Sequence, residues 1–349
     1  MRPMRNMERR QVTEGKILLA HGSGGGLTHQ LVREVFSKHL ANPWLDAQED
    51  AAVWQAPHAC GRFALTTDSY VVQPLFFPGG DIGKLAVCGT VNDLAMVGAQ
   101  ALYLTAGFIL EEGLPVDALE RIVCSMAKTA EEAGVQVIAG DTKVVDHGSA
   151  DQLFINTAGI GTVAPDVHIS AGNAQPGDGI LLSGPIGLHG MAIMCEREGL
   201  GFTWPLQSDC APLNGLVCTM LAVDTHIHCL RDPTRGGLAT TLCELATQSK
   251  IQMEIEESSI AIPAGVSAAC EMLGLDPLYV ANEGILVAIV PPELEASMLA
   301  SMHAHPLGRN AALIGRVTSS DHARVVLHTT LGARRLLQVL AGEQLPRIC

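Results

Sequence analysis

The sequence predicts an α+β protein with two domains. Short apolar segments with strand character alternate with longer segments of helical periodicity along the chain. A length of 349 residues exceeds what one small hydrophobic core organises. A stretch rich in Pro, Gly, Asn and Asp, APDVHISAGNAQPGDG, interrupts the pattern at 164–179. We therefore expect an N-terminal segment over 1–49, a first domain over 50–165, a second domain over 175–331 and a flexible tail over 332–349.

The first domain is predicted to contain four strands and two helices. The first helix is expected at 83–98, and the strands at 62–72, 101–110, 135–141 and 152–163. The second helix starts near Pro115 and Asp117 and stops at Gly134. Its amphipathic face carries Leu119, Ile122, Val123, Met126 and Ala130.

The second domain repeats this alternation with different lengths. Its helices are expected near 187–196, 211–223, 236–248 and 293–303, and its strands near 180–184, 284–290, 311–317 and 324–327. From Gly332 onward no core pattern remains, so the last residues are predicted to form the tail.

The composition limits the classes of partner and compartment. A formal charge of −14 argues against nucleic acids and anionic membranes as main partners, but not against ATP, which magnesium neutralises. The start, MRPMRNMERRQVTEG, has no apolar segment after it, so we expect no secretory signal. No apolar run is long enough to span a bilayer, and the ten cysteines lack C-x-x-C spacing. These features favour a reduced, cytoplasmic protein.

Four acidic residues stand at the ends of apolar elements or inside them. They are Asp50, Asp68, Asp93 and Asp141. A carboxylate in surroundings as apolar as those of Asp93 is costly unless it is paired or binds a cation. Magnesium takes hard oxygen ligands and shares its shell with phosphates. Asp is also common in helix caps and turns, so the four acids leave both a metal–nucleotide site and simple capping open.

Glycine-rich loops before helices point to phosphate binding. The segment HGSGGGLTHQL at 21–31 contains Gly22, Ser23, Gly24 and Gly25, and similar loops occur at 183–190 and 231–239. Helix N-termini with small residues offer backbone N–H groups to phosphates. None of these loops has P-loop or dinucleotide spacing, and glycine also serves ordinary turns.

Three further residues indicate a function only when they are considered together. Lys143 follows Asp141 by two residues, and Glu283 precedes a strand of the second domain. Each alone is typically a solvated surface charge, unless the two domains bring them together. Cys349 ends the chain in LPRIC, which is either chance or a thiol that carries a group on a mobile end.

Several motifs over nearly the whole chain match one known family. They include HGSGGG, TTDSYVVQPLFFPGGDIGKLAVCGTVNDLAMVGA, GDTKVV, RDPTRGGL, ANEG and the terminal PRIC. In these the sequence resembles the HypE family of hydrogenase maturation factors. That family lies in the superfamily of aminoimidazole ribonucleotide synthetase, selenophosphate synthetase and thiamine monophosphate kinase. The resemblance implies a first domain whose sheet pairs across a homodimer into a barrel, beside an α+β second domain, with ATP in the cleft.

The resemblance also implies an activity and partners. A HypE-like protein receives a carbamoyl group on its terminal thiol from the carbamoyltransferase HypF. It then dehydrates the S-carboxamide to an S-thiocyanate with ATP. The cyanide passes to iron held by a HypC–HypD complex for a nickel–iron hydrogenase.

The resemblance assigns roles to individual residues. Cys349 is then the carrier, Glu283 a base and Lys143 its partner, while the Gly22–Gly26 loop covers phosphates. Mg²⁺ is assigned to Asp50, Asp68, Asp93 and Asp141, and nucleotide contacts also to Asn92 and Thr142. Relatives often have two Asp before Ala-Ala, and Glu49 takes the first place here, which puts a metal role for position 49 in doubt.

Two other functions stay open from the sequence. One is another ATP-dependent enzyme of the superfamily, such as selenophosphate synthetase. The terminal thiol argues against this, as does the lack of a reactive cysteine near the N-terminus. The other is a non-catalytic thiol carrier, against which the retention of Asp93, Lys143 and Glu283 argues.

Overall fold

The protein is described by a computed structural model. It covers residues 26–31, 33, 47, 49–55, 61–200, 206–320, 322–340, 345, 348 and 349. The Gly22–Gly25 part of the glycine-rich loop lies outside these residues. Among the helices that are described, none has both the length and the apolar character needed to cross a bilayer.

Two large sheets and one short two-stranded sheet, Phe76–Phe77 with Gly80–Asp81, form the frame of the molecule. The strands are β1 Ala52–Gln55, β2 Arg62–Tyr70, β3 Phe76–Phe77, β4 Gly80–Asp81, β5 Ala99–Glu111, β6 Gln136–Val145, β7 Leu153–Val163, β8 Gly179–Leu182, β9 Cys229–Arg231, β10 Gln252–Glu256, β11 Val287–Val290, β12 Ala312–Thr318, β13 Arg324–His328 and β14 Arg334–Leu337. The helices are α1 Gly26–Leu31, α2 Ile82–Met96, α3 Val116–Ala133, α4 Leu188–Glu198, α5 Asn214–Leu221, α6 Gly237–Ser249, α7 Ala264–Leu273 and α8 Glu295–Ala304. The strands and helices expected from the periodicity all occur, with ends shifted by a few residues.

The first domain is a five-stranded sheet with helices on one face. The strand order is β1-β2-β7-β5-β6, and only the β5–β6 pair among these is parallel. Helix α2 packs against β2, β7 and β5, and α3 packs on α2. Asp81 caps α2, since its carboxylate accepts from the backbone N–H groups of Gly83 and Lys84. The opposite face of this sheet, which we call the outer face, carries no helix from the described residues.

The second domain is a seven-stranded sheet covered on both faces. The strand order is β14-β13-β10-β12-β8-β11-β9. Helix α6 packs on β13, β10 and β14, while α8 packs on β12 and β8 and also on α5. The buried residues accordingly form one cluster on each side of this sheet, and a third cluster belongs to the first domain and to α4 and α7.

The end of the chain corrects one expectation. Residues 334–337 form β14, which pairs antiparallel with β13, so a tail that begins at Gly332 is wrong for these residues. The segment RRLL was not predicted to be a strand, because three of its four side chains are exposed and its pattern resembles that of a surface segment. Farther on, Leu345 and Ile348 are buried in the first-domain cluster, and Ile348 forms an antiparallel bridge with Val72.

Candidate active site

Three carboxylates from three segments meet at the junction of the two domains. Asp50 precedes β1, Asp93 lies on α2, and Asp232 follows β9. One oxygen from each lies within 4.8 Å of the others. Asp93 reaches the junction because α2 is buried almost all round and its C-terminal half runs past β9. The arrangement has the donor type and the size of a site for a hard divalent cation.

Among the described residues, too little positive charge lies near this cluster to neutralise its three carboxylates. Burial raises the pKa of Asp93 well above its usual value, and Asp232, Asp50 and Asp68 add repulsion. Burial likewise raises the pKa of Asp50 to about 7 and that of Asp232 to about 6. Arg231 stands 2.5 Å from Asp50, and the Thr66 hydroxyl donates to Asp93 at 2.8 Å. One arginine does not balance three carboxylates, so the residues present fit a bound Mg²⁺.

Two members of this cluster, Asp50 and Asp93, were expected from the sequence, and the third was missed. Asp232 stands in RDPTRGGLA, a loop that drew attention only for its glycines. Those glycines serve the turn itself. Gly237 has φ +60°, and a Cβ there would lie 2.6 Å from the Val280 carbonyl oxygen. A polar residue directly after a short apolar strand was the signal that could have found Asp232.

Asp68 lies beside the cluster, in contact with an arginine that the sequence analysis did not single out. Its carboxylate is 3.3 Å from Arg235 Nη2 and also accepts from the Ser69 backbone N–H at 2.7 Å. Asp68 therefore contributes negative charge to the junction and an ion pair to Arg235. It is absent from the group of three acids whose oxygens are close enough to share one ion.

The terminal thiol sits in this same junction. Arg235 hydrogen-bonds to the Cys349 thiol, and Glu283 and Asp68 are close enough to influence it electrostatically. Burial raises the pKa of the thiol to about 11, an increase that Arg235 only partly opposes. The cysteine is therefore held as a neutral thiol between a guanidinium and two acids.

Glu283 is buried, with 2% of its surface exposed. Burial raises the pKa of its carboxyl well above the usual range, and neighbouring Cys210, Asp232 and Asp209 add to the shift. Its backbone is held on both sides, because its N–H donates to Asp209 Oδ1 at 3.1 Å and its carbonyl accepts from Ala211 N at 3.3 Å. A carboxyl group with a high proton affinity is thus fixed near the Cys349 thiol.

The assignment of Asn92 to nucleotide binding does not agree with its contacts. Its amide nitrogen donates to the carbonyls of Ala211 and Glu283, and its oxygen accepts from Leu213 N at 2.7 Å. Asn92 is fully buried. Its side chain is occupied in joining α2 to the segment before α5 and to Glu283, so its role here is structural support of the site.

Asp141, Thr142 and Lys143 are not brought to the junction within one chain. They lie on β6, which is three strand positions from β2, and this corresponds to about 14 Å along the sheet. Asp141 and Lys143 pair with Gly107 and Ile109 of β5 and share the outer face, whereas Asp68 shares the inner face with buried Thr66 and Tyr70. The predicted fourth metal ligand, Asp141, is therefore wrong for a site built from one chain.

Asp141 and Lys143 instead contact each other. Lys143 Nζ lies 2.8 Å from Asp141 Oδ2, and both side chains are 70% exposed. The Lys143 hydrogen bond lowers the pKa of the Asp141 carboxyl. The sequence could not show which face of the sheet Asp141 and Lys143 occupy. Every residue from Gln136 to Val144 is exposed, so no alternation of buried apolar and exposed polar residues marks an inner face.

Glu49 is occupied elsewhere. Its carboxylate accepts from the Ser170 hydroxyl and from the Ala171 backbone N–H at 3.1 and 3.2 Å. It ties the segment before β1 to the connection between the domains. A metal role for position 49 is not supported.

Comparison with known proteins places this site in a family. The description "AIR synthase related protein, N-terminal domain" matches residues 48–163, and its C-terminal counterpart matches 175–328. A relative from Azotobacter vinelandii, "Carbamoyl dehydratase HypE", is 54% identical over 98% of this chain and 100% of its own length. The chain belongs to the HypE family of carbamoyl dehydratases.

Other members of the HypE family agree over similar lengths. The Escherichia coli K12 protein named "Carbamoyl dehydratase HypE" is 47% identical over 95% of this chain and 99% of its own length. The structure "Crystal structure of HypE-HypF complex" has a TM-score of 0.84 and 48% identity, over 89% of this chain and 99% of that one. A HypE structure "in complex with ATP" has a TM-score of 0.80 and 49% identity, over 96% and 100%. The aminoimidazole ribonucleotide synthetase-like fold expected from the resemblance is confirmed.

Proposed function

We propose that this chain dehydrates an S-carboxamide on its own Cys349 to an S-thiocyanate, with ATP, as a step in hydrogenase maturation. The observation that carries the proposal is the position of the terminal thiol, which contacts Arg235 beside buried Glu283 and next to three clustered carboxylates. A chain end that merely extended from the surface would not place its thiol among these groups.

The chemistry follows from the poor leaving group of an amide. A carboxamide loses water with difficulty, because oxide is expelled badly. Transfer of the γ-phosphoryl group of ATP to the carboxamide oxygen turns that oxygen into part of a phosphate. Removal of the two N–H protons and cleavage of the C–O bond leave C≡N on the sulfur. The products are the S-thiocyanate, ADP and inorganic phosphate, which carries the oxygen away.

ATP and Mg²⁺ have separate support. A HypE structure of 49% identity is described as an ATP complex. When bound, Mg²⁺ supplies neutralisation of phosphate charge, and Asp50, Asp93 and Asp232 would hold it. Asp68 and the glycine-rich loop around Gly22–Gly25 remain proposed contacts of the nucleotide.

Glu283 is proposed as the group that takes protons from the carboxamide nitrogen. Its raised pKa makes the carboxylate form, once the carboxyl has lost its proton, a stronger base than a solvated glutamate. Its fixed backbone keeps it in reach of the atoms that Cys349 carries. Arg235 would orient the sulfur end of the same group through the contact it makes with the thiol.

Lys143 requires a second copy of the chain in this proposal. The outer face exposes Leu65, Tyr103 and Ile109, which pair across the sheet with Ile160 and Phe154 of β7. Apolar side chains on an open sheet face favour association with another sheet. A homodimer through this face would bury it and carry the Asp141, Thr142 and Lys143 segment of one chain toward the junction of the other.

The family supports a proposal for the partners and the compartment. A relative of 48% identity was solved in a HypE–HypF complex, which supports HypF as the donor of the carbamoyl group. We propose a HypC–HypD complex as the acceptor of the cyanide and the cytoplasm as the compartment. Selenophosphate synthesis is disfavoured by the identity with HypE proteins and by the terminal thiol.

ATP hydrolysis distinguishes the dehydratase from a non-catalytic carrier. Wild-type protein with HypF and its carbamoyl-donor substrates should hydrolyse ATP in proportion to the carbamoylated Cys349. The Cys349→Ser variant should hydrolyse none above the HypF background. Equal ATP turnover in both proteins would contradict a reaction on this residue, and no turnover in either would favour the carrier.

A further inference from the structure

A buried histidine links the docked chain end to the body of the protein. His189 lies on α4 and has 0% of its surface exposed. Its Nε2 is 2.7 Å from the carbonyl oxygen of Ile348, and its Nδ1 is 2.8 Å from Ser208 Oγ. The Phe77 ring lies perpendicular to the imidazole, with centroids 5.6 Å apart.

The hydrogen bonds around His189 fix its tautomer. A carbonyl only accepts, so Nε2 must carry the proton and donate to Ile348. Nδ1 then accepts from the Ser208 hydroxyl, whose oxygen in turn accepts from the Cys210 backbone N–H at 3.0 Å. Burial lowers the pKa of His189 to about 4, so the neutral imidazole is the form present near pH 7.

The same short segment also holds Glu283. Ser208 bonds His189, Asp209 accepts from the Glu283 backbone N–H at 3.1 Å, and Ala211 donates to the Glu283 carbonyl at 3.3 Å. Residues 208–211 therefore fix the chain end on one side and the buried acid on the other. Through this connection Cys349 and Glu283 share one support.

We propose that His189 and Ser208 form a docking socket for the Ile348 carbonyl, and that this socket sets the position of Cys349 against Arg235 and Glu283. Val72 contributes a second contact to the docked chain end through its antiparallel bridge to Ile348. The two socket residues are positioning residues. His189 contacts the backbone before the thiol, and Ser208 acts on that backbone through His189. The consequence for dehydration rests on the proposed function, but the docking does not.

Alkylation of Cys349 measures docking directly and needs neither ATP nor HypF. The protein is treated with iodoacetamide, digested after glutamate, and the terminal peptide QLPRIC is quantified by mass spectrometry. Exposed Cys218 serves as the internal control in every variant. Failure of the dehydratase proposal would leave this measurement unaffected.

Two substitutions of His189 separate the hydrogen bond from packing. His189→Asn keeps a polar group near the Nδ1 position and removes the donor to Ile348, so labelling of Cys349 should rise about tenfold. His189→Gln keeps a donor near the Nε2 position, so its Cys349 should label at a rate close to that of wild type and well below that of the Asn variant. Wild-type labelling of the Asn variant, or equal acceleration in both variants, would overturn the socket.

Ser208→Ala keeps the proposal testable if the His189 variants do not fold by circular dichroism. Loss of the hydroxyl frees Nδ1 and weakens the alignment of the ring. Cys349 labelling should then rise about threefold, with Cys218 unchanged. A wild-type rate in this variant would contradict the role of Ser208 and of the socket.

Discussion

At the scale of one residue, Asp93 shows how a carboxylate that is costly to bury marks the candidate metal site. Its carboxylate lies on a helix buried almost all round, and its pKa is raised by burial and by three neighbouring acids. Replacement by Asn retains the shape and the acceptor for the Thr66 hydroxyl. It removes one of the three charges that would hold Mg²⁺.

We predict that Asp93→Asn folds normally and loses ATP turnover by about a hundredfold or more. Thermal unfolding should show equal or higher stability without metal, because repulsion in the cluster falls. Exposed Asp117→Asn on α3 is the matched control and should turn over ATP like wild type. Normal turnover in Asp93→Asn, with a normal circular dichroism spectrum, would remove Asp93 from the metal site.

His189 gives a pH dependence with a defined sign. Its pKa in the folded protein is about 4, lowered from 6.5, so the unfolded chain binds more protons between these values. The contribution of His189 to the free energy of unfolding is therefore fully present above pH 6.5 and is lost as the pH drops toward 4. The shift corresponds to about 3 kcal/mol over the whole window.

The corresponding measurement is the free energy of unfolding by denaturant at several pH values. Wild type should lose more stability than His189→Gln between pH 6.5 and 4, because glutamine does not titrate. Parallel curves for the two proteins would show that His189 is not buried as a neutral ring.

The sequence was informative about residues whose setting was unusual and uninformative about those in ordinary settings. Asp93 was found because it interrupts an apolar segment, whereas Glu283 was assigned through the family resemblance. Arg235 and Asp232 were missed because the loop RDPTRGGLA drew attention for its glycines and not for its charged residues. Asn92 was assigned to the nucleotide although its partners are backbone groups 119 to 191 residues away, which no local pattern reveals.

At the scale of elements, α2 joins the two domains through Asn92. The side chain bonds Ala211, Glu283 and Leu213, so one amide holds three backbone groups. Asn92→Ala leaves these buried groups without their partner. We predict a loss of about 2–4 kcal/mol in the free energy of unfolding, together with weaker dehydration.

Denaturant unfolding measures this effect, with Asn173→Ala as the control. Asn173 makes one exposed hydrogen bond to the His168 carbonyl, and its replacement should cost less than about 1 kcal/mol. If Asn92→Ala were as stable as that control, the amide would not be the connection that positions Glu283.

Element prediction succeeded where burial produces a clear period. Helix α3 has one buried face and ends at a glycine in the left-handed conformation. Both the face and the end were predicted from the sequence. Strands β10 and β14 were not predicted, because QMEIE and RRLL carry charges on their exposed sides. Their place in the sheet is decided by partners remote in the chain, β12 and β13.

At the scale of the whole molecule, the outer face and the position of Lys143 make the proposed dimer testable. If Lys143 serves the junction of the other chain, a Lys143→Ala chain and a Glu283→Ala chain complement each other. Mixed dimers then contain one intact site, formed by Glu283 of the first variant and Lys143 of the second. The two variants alone should be inactive in dehydration.

After the two variants are unfolded together and refolded, about a quarter of wild-type activity should return, because half of the dimers are mixed and each has one intact site. Refolding each variant alone is the control. Activity that stays at the level of the separate variants, although mixed dimers form, would contradict the contribution of Lys143 across the interface.

The most direct test of the central claim is the mass of the terminal peptide QLPRIC during a single turnover. The protein is carbamoylated by HypF, separated from it, and then mixed with Mg-ATP. We predict that the carbamoylated peptide loses the mass of one water, with one ADP formed per peptide, and that Glu283→Ala keeps the carbamoylated mass. A carbamoylated peptide that stays unchanged in the wild-type protein while ATP is consumed would contradict dehydration on Cys349.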